Sequence, residues 1–372
     1  MAESTRLVDV IQATLDSFLD DRKSHLVGVA HDLRPFVDFS RDLLRGGKRF
    51  RALFCYWGNR AVADLARDPS GVLEEPAEPL DAVIRAASAL EMFHAAALVH
   101  DDIIDNSSTR RGLPSVHERF TLLHRESDWA GDATHFGTSA AMLAGDLLLA
   151  WSDQLFSSAL DTIGAARERS AAHDEFNRMR TEVMLGQYLD ILEEQSWATR
   201  PESELLPRAQ RVIVYKSAKY SVEAPLCIGA ALGGGSTEQL DALRGFGLPL
   251  GVAYQLRDDL LGVFGDPAET GKPAGDDLRE GKRTVLIAVA RAELPPNAVA
   301  FLDEHLGDRS LSDDQVRMLQ STLRDSGAVE RIEKVIELNA ETARSALIDA
   351  PVSAAAKREL TTLVESVTSR SS

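Results

Sequence analysis

Disulfides have little to draw on in this chain. Cys55 and Cys227 are the two cysteines among 372 residues, too few for a disulfide framework and in keeping with a reducing compartment. Glycine and proline are also scarce, at 25 and 14, which excludes collagen-like and low-complexity polymers. Basic charge is in deficit: 41 Lys and Arg against 58 Asp and Glu give a net charge of −17. A phosphate backbone would be repelled, so nucleic acid is not an expected partner. No apolar run approaches the roughly 20 residues that span a bilayer, so no membrane span is expected. The first thirty residues carry Asp9, Asp16, Asp20 and Asp21 without the apolar stretch of a signal peptide. No long stretch alternates with the period of two that marks half-buried strands.

What the chain has is 44% hydrophobic residues, enough for a large core, in a uniform texture of Ala, Leu, Arg and Glu. A cytoplasmic, all-α protein is expected. Val329, Ile332, Ile336, Asn339, Ala343 and Leu347 step by three or four residues and form one helical face, with one polar exception. Ser312 followed by Gln315 reads as a capping box. Breakers cluster at 68–79 (Pro69, Gly71, Pro76, Pro79), near 131–137, at 199–207, 233–236, 265–281 and 295–296. None reads as a linker, and no repeat shows a solenoid period. Residues 1–372 are therefore expected to form a single all-α domain.

Chemistry gathers in two acidic clusters. Asp101 and Asp105, at i and i+4 after an apolar run that begins near Ala82, project from one helix face. An isolated pair of this kind is more often a solvated helix end. A second cluster changes the balance: Gln255 and Asp258 share a face at i, i+3, with Asp259 beside them, again after an apolar run from Leu248 to Tyr254. Hard oxygen ligands with few histidines favour Mg2+ over zinc or copper. Basic residues stand close by: Arg110 and Arg111 after the first cluster, and Lys272, Lys282 and Arg283 in a Gly-rich loop after the second. Gly46-Gly47-Lys48-Arg49-Phe50-Arg51 adds a basic turn, and Lys216 and Lys219 flank Ser217. Any one of these is more often a surface charge. Together, in an acidic protein, they point to a diphosphate, with Mg2+ bridging Asp and phosphate oxygens and Arg taking the remaining oxygens.

Six segments carry a resemblance that runs over residues 40–350: GGKRFR at 46–51, DDIIDNSSTRRG at 101–112, GQYLD at 186–190, KSAKY at 216–220, QLRDDLLGVFGD at 255–266 and GKPAGDDLREGKRT at 271–284. The chain resembles the trans-polyprenyl (isoprenyl) diphosphate synthases, of geranylgeranyl diphosphate synthase type. The resemblance implies an all-α isoprenoid-synthase helical bundle around a central active-site cavity, a homodimer, and three Mg2+ ions per active site. It assigns Asp101, Asp102, Asp105 and Asp258 to the metals, with Asp259 as a supporting carboxylate at the same motif. Arg110, Lys216 and Lys272 are implied to contact the allylic diphosphate, with Gln187 and Asp190 close to it. Lys48, Arg51, His94 and Arg111 are implied to hold isopentenyl diphosphate, and Lys216, Ser217, Gln255 and Lys272 to line the reacting centre. His94 lies seven residues before Asp101, two helical turns, which by itself places it on the aspartate face. Without the resemblance it would read as a buried structural histidine. Position 262, where the family's second motif commonly has a third aspartate, is Gly, and the next aspartate is Asp266. Weaker metal binding is expected there.

The implied reaction condenses isopentenyl diphosphate with an allylic diphosphate by ionisation, condensation and elimination, without a side-chain nucleophile. Ala97 and Ala96, four and five residues before Asp101, are small, and Phe93 is the next bulky residue on that side. An all-trans product longer than C15 is expected, with geranylgeranyl diphosphate favoured and a longer chain for quinone side chains as the alternative. A class I terpene cyclase needs no second diphosphate pocket. A ferritin-like di-iron bundle, suggested by Glu91 and His94, needs a second Glu-x-x-His motif, which the sequence lacks. A non-catalytic subunit of a heteromeric synthase would be expected to have lost more of these residues.

Overall fold

A computed structural model describes residues 2–67, 81–266 and 274–368. Its helices are α1 (Ala2–Val29), α2 (Arg34–Leu43), α3 (Phe50–Arg67), α4 (Asp81–Ile104), α5 (Val116–Glu126), α6 (Ala133–Leu160), α7 (Ala166–Ser196), α8 (Glu202–Val212) and α9 (Ala224–Leu232). A π-helical segment, Ile213–Glu223, precedes α9. Then follow α10 (Thr237–Phe264), α11 (Asp276–Glu280), α12 (Val285–Glu293), α13 (Pro296–His305), α14 (Asp313–Asp325), α15 (Ala328–Ile348) and α16 (Ala354–Thr368). Among the described residues, strand is confined to β1 (Thr109–Arg110) and β2 (Leu113–Pro114). The chain divides into two compact units, Met1–His173 with Ile228–Gly234, and Asp174–Cys227 with Gly235–Ser372.

In the first unit α4 is the core helix, packed by α6, α3, α1 and α5. By length and composition α4 could cross a membrane, which corrects the expectation that no apolar run is long enough. However, 78% of its most apolar window is buried inside the protein, as a helix apolar on all sides requires when it lies in a core. Small residues set the packing distance. Ala86, Ala89, Ala95 and Ala96 of α4 and Ala140, Ala141 and Ala144 of α6 are all buried, so the backbones can approach closely. Gly145 leaves room for the His100 ring: a Cβ there would stand 2.3 Å from His100 Nε2.

In the second unit α10 packs on α15 and on the π-helical segment. Leu256, Leu260 and Val263 of α10 join Leu286, Leu319, Leu323, Ile332 and Ile336 in one core cluster. Arg257 donates to both carboxylate oxygens of Glu333 at 2.6 Å, a bidentate clamp from α10 to α15. The π-helical segment is pressed from two sides by glycines. A Cβ at Gly186 of α7 would lie 2.4 Å from the Lys216 nitrogen, and one at Gly251 of α10 would lie 2.5 Å from the Ala218 oxygen.

Local signals in the sequence act as expected at most of these ends. Ser312 and Gln315 form the capping box that opens α14, and a second box, Ser236 with Gln239, opens α10. The apolar face of α15 is Ala328, Ile332, Ile336, Ala340, Ala343 and Leu347. Ala340 takes the place expected of Asn339, whose side chain donates instead to the Val335 oxygen. Pro207 does not interrupt α8. The breakers at 68–79 lie outside the described residues.

Candidate active site

The first acidic cluster sits where α4 ends. Asn106 adopts a left-handed conformation, φ 51°. The Ser107 amide donates to the Asp102 oxygen at 2.9 Å and the Asn106 amide to the Ile103 oxygen at 3.3 Å. This is a Schellman termination with asparagine in the glycine position. It holds Asp101, Asp102 and Asp105 on the final turns, the Asp105 amide bonding the Asp101 oxygen at 2.8 Å.

The chain then folds back as a hairpin in which Thr109 pairs with Pro114 and Arg110 with Leu113. Its two-residue loop is Arg111 (φ 54°) and Gly112 (φ 74°), the positive-φ pair of a type I′ turn. A non-glycine residue there costs about 1 kcal/mol. The return swings Arg110 over the end of α4. Its Nε donates to Asp102 Oδ1 at 2.9 Å, with Nη2 on the same oxygen. Its Nη2 also lies 3.7 Å from Asp101. Asp102 is 1% exposed, whereas Asp101 keeps part of its surface open. Asp102 therefore orients Arg110, and Asp101 is the more accessible of the two carboxylates.

Arg111 reaches the basic turn of residues 46–51. Its Nη1 donates to the Leu43 oxygen at 2.9 Å and the Arg45 oxygen at 3.2 Å, and a Cβ at Gly47 would crowd its Nη2 at 3.2 Å. Gly46, Gly47 and Arg49 all have positive φ. Arg49 is buried, donating to Glu91 Oε2 at 3.0 Å, Gln12 Oε1 at 2.6 Å and the Leu44 oxygen. Lys48 is exposed. His94, one turn after Glu91 on α4, is partly open to solvent. Loss of water, then the charges of Arg51, Arg111, Arg110 and Arg49, hold its imidazole well below the usual histidine range, so it is neutral at pH 7. Of the four guanidinium groups whose charges act on His94, Arg49 is balanced by Glu91 and Arg110 by Asp102. The positive charges of Arg51 and Arg111 suit an anion.

On α4 the partly exposed residues His94, Ala97, Leu98 and Asp101 form one stripe, at helical spacing. Phe93 and Ala96 are buried.

The second cluster lies on α10. Gln255 Nε2 donates to Asp259 Oδ1 at 2.7 Å, one turn apart. Asp259 is 6% exposed. Burial first, and then the charges of Asp277 and Asp258, push its carboxyl up to about 8, against the Gln255 hydrogen bond and Lys282. Asp258 is partly exposed. At Gly262 a Cβ would fall 1.9 Å from Oδ2 of Asp277, which belongs to α11.

Also in this unit, Lys216 pairs with Asp190, and Lys219 donates to both oxygens of Glu182 at 2.9 and 3.1 Å. Both lysines and Ser217 ride on the π-helical segment, and both carboxylates, with Gln187, ride on α7. π-helical turns recur at functional sites because the extra residue re-aims side chains. Lys272 lies outside the described residues.

Among the described residues, no three His, Cys, Asp or Glu side chains form a ready-made metal cage. Magnesium does not require one, since it keeps waters and takes one or two carboxylates together with substrate phosphates. The donors fit it: both clusters offer carboxylate oxygen without thiolate or imidazole, and a divalent ion would remove the electrostatic penalty on ionised Asp259.

Three features had weak sequence signals: the ion pair that fixes Arg49 to Glu91, the positive φ of Arg111 and the approach of Asp277 to Gly262. Arg-Gly between short extended residues is the one hint of the hairpin.

A sequence profile of the family described as polyprenyl synthetase matches residues 35–323. The chain is 37% identical to geranylgeranyl pyrophosphate synthase from Corynebacterium glutamicum, whose crystal structure is complexed with isoprenyl diphosphate and magnesium. That superposition has a TM-score of 0.90 and covers 98% of this chain and 99% of that one. It is 30% identical over 352 residues to the geranylfarnesyl diphosphate synthase of Aeropyrum pernix, covering 90% of this chain and 96% of that protein. It is 31% identical over 303 residues to the geranylgeranyl diphosphate synthase of Sulfolobus acidocaldarius, covering 81% and 80%.

Proposed function

This chain belongs to the polyprenyl synthetase family, and on that premise we infer a prenyltransferase that condenses isopentenyl diphosphate with an allylic diphosphate to give an all-trans chain. The fold is the helical isoprenoid-synthase fold of its structural relatives. The observation that carries the reading is a second basic set beside the first acidic cluster: Arg111, tied by the hairpin to the Leu43 and Arg45 oxygens, and Arg51, both of whose charges act on His94. A cyclase, which ionises one diphosphate, has no use for a second anion pocket, whereas a chain-elongating enzyme needs one for isopentenyl diphosphate.

Asp101, Asp105 and Asp258 would hold magnesium, three ions per active site, with Asp102 and Asp259 in supporting positions. When bound, the metal neutralises charge that develops on the departing diphosphate. The residues do the rest. Arg110, oriented by Asp102, and Lys216, oriented by Asp190, hold phosphate oxygens of the allylic substrate, with Lys272, Gln187, Ser217 and Gln255 near the reacting carbons. Lys48, Arg51, Arg111 and His94 hold isopentenyl diphosphate, His94 as a neutral N–H donor. The allylic C–O bond breaks and its electron pair leaves with the diphosphate. The double bond of isopentenyl diphosphate then forms the new C–C bond, and the departing diphosphate takes the proton lost. Apolar walls must keep water from the cation.

The favoured product is geranylgeranyl diphosphate, made by a homodimer. The experiment is incubation of pure protein with Mg2+, isopentenyl diphosphate and each of the C5, C10 and C15 primers, followed by chromatography of the dephosphorylated products. Linear C20 alcohol supports the reading, and C25 or longer moves the assignment to a longer-chain synthase. Cyclised hydrocarbons, or no consumption of isopentenyl diphosphate, overturn it.

A further inference from the structure

Glu182, Gly186 and Asp190 follow one another at i, i+4 and i+8 on α7, so they form a single line along the helix. Each of the three meets the π-helical segment. A Cβ at Gly186 would stand 2.4 Å from the Lys216 nitrogen and 2.5 Å from the Tyr215 carbonyl carbon, so the missing side chain lets the two backbones touch. On either side of that contact a carboxylate takes a lysine. Asp190 pairs with Lys216, and Glu182 accepts from Lys219 through both oxygens, at 2.9 and 3.1 Å.

The spacing sets the two pairs against each other. Glu182 and Asp190 are eight residues apart, a rise of about 12 Å along a helix, whereas Lys216 and Lys219 are separated by about 5 Å at the same rise per residue. The lysines must therefore reach in opposite directions along α7, and sliding the segment either way stretches one pair. Lys219 is itself steadied by the Tyr215 ring, whose centroid lies 5.0 Å from its Nζ, within cation–π range. Because π-helical turns are rare, contacts from outside the segment must hold its register. The side chains of Lys219 and Glu182 are 22% and 25% exposed, and an ion pair this open adds little to global stability. Its effect falls on placement.

We propose that Lys219, clamped on Glu182, is a positioning residue for the condensation: it fixes the register of Ile213–Glu223 on α7 and so keeps Lys216 at Asp190. This inference rests on the prenyltransferase reading, which puts Lys216 on the allylic diphosphate. It gives a task to a lysine and a glutamate that the reading itself leaves unused.

The test is steady-state kinetics with Mg2+, isopentenyl diphosphate and the C15 allylic diphosphate, beside thermal unfolding. The proteins are wild type, Lys219→Gln, Glu182→Gln, Lys219→Arg and the exchanged pair Lys219→Glu/Glu182→Lys. Lys219→Gln and Glu182→Gln should each lower kcat about tenfold, as a small misplacement of a working group does. Each should raise the KM for the allylic diphosphate and leave that for isopentenyl diphosphate unchanged, with the melting temperature close to wild type. Lys219→Arg, which can grip both oxygens of Glu182, or the exchanged pair, which restores the attraction in reverse, should recover most of the lost kcat. Wild-type constants in Lys219→Gln, equal changes in both KM values, or recovery in neither rescue variant overturns the proposal. No consumption of isopentenyl diphosphate by wild type would instead remove the prenyltransferase reading, and this inference with it.

Discussion

Arg49 and Glu91 form a buried ion pair, Nη1 to Oε2 at 3.0 Å, with side-chain exposures of 3% and 4%. The other Glu91 oxygen accepts from the Ala52 amide at 3.2 Å, so one carboxylate ties the basic turn to both α3 and α4. Removing one partner of such a pair leaves an uncompensated charge in the core, which costs about 3–5 kcal/mol. Glu91→Ala should lower unfolding stability by that amount in urea titration. It should also raise the KM for isopentenyl diphosphate more than that for the allylic substrate, because it is the Arg49–Arg111 side that loosens. An unchanged urea midpoint would show that the pair is not a structural tie.

Asp259 gives the pH prediction. Its folded-state carboxyl is pushed from 3.8 up to about 8, so between pH 4 and pH 8, the window set by those two values, the native protein binds more protons than the unfolded chain. Stability of the metal-free protein must then fall as pH rises through that window. Magnesium needs the ionised carboxylate, so binding expels a proton and strengthens with pH. The Mg2+-induced rise in melting temperature should grow between pH 6 and pH 9 and flatten in Asp259→Asn. A pH-independent rise would remove Asp259 from the cation site.

How much of this was written locally can be judged residue by residue. The box of Ser312 and Gln315 was legible because cap and partner are three residues apart, and the Asp101–Asp105 pair because one helical turn joins them. Arg111 was not, since a type I′ turn is usually announced by Asn-Gly or Asp-Gly, and here tertiary bonds to Leu43 and Arg45 hold an arginine in that conformation. Asp277 was hidden for a different reason. Its position depends on packing at Gly275 against Val316 and at Gly281 against Gly307, contacts that no short window of sequence contains. The apolar run before Asp101 was legible, but its bilayer-length character was not, because Arg85 and Glu91 break it although the helix as a whole is apolar enough to pass for a span.

Gly186 and Gly251 set the position of the π-helical segment, and with it Lys216. A methyl group at Gly186 would meet backbone at 2.4–2.7 Å, which no rotamer change relieves. Gly186→Ala should cost about 1–3 kcal/mol through overpacking, and should lower kcat because Lys216 moves with its backbone away from Asp190. Thermal unfolding and steady-state kinetics read the two effects. Normal turnover in a destabilised Gly186→Ala protein would show that the placement of Lys216 tolerates the shift.

Ala97 and Ala96 separate two readings of product length. Ala97 shares the partly exposed stripe of His94 and Asp101, whereas Ala96 is fully buried. With the allylic head held at Asp101, a tail that grows toward the start of α4 passes Ala97, and an aromatic ring there would stop it. Ala97→Phe should therefore shift products from C20 toward C15 with little loss of melting temperature. Ala96→Phe points the same ring into a core that has no space for it, so its main effect should be overpacking of about 1–3 kcal/mol. Product chromatography beside thermal unfolding distinguishes the two variants. If Ala96→Phe shortens the chain and Ala97→Phe does not, the floor of the tunnel belongs to the other face of α4.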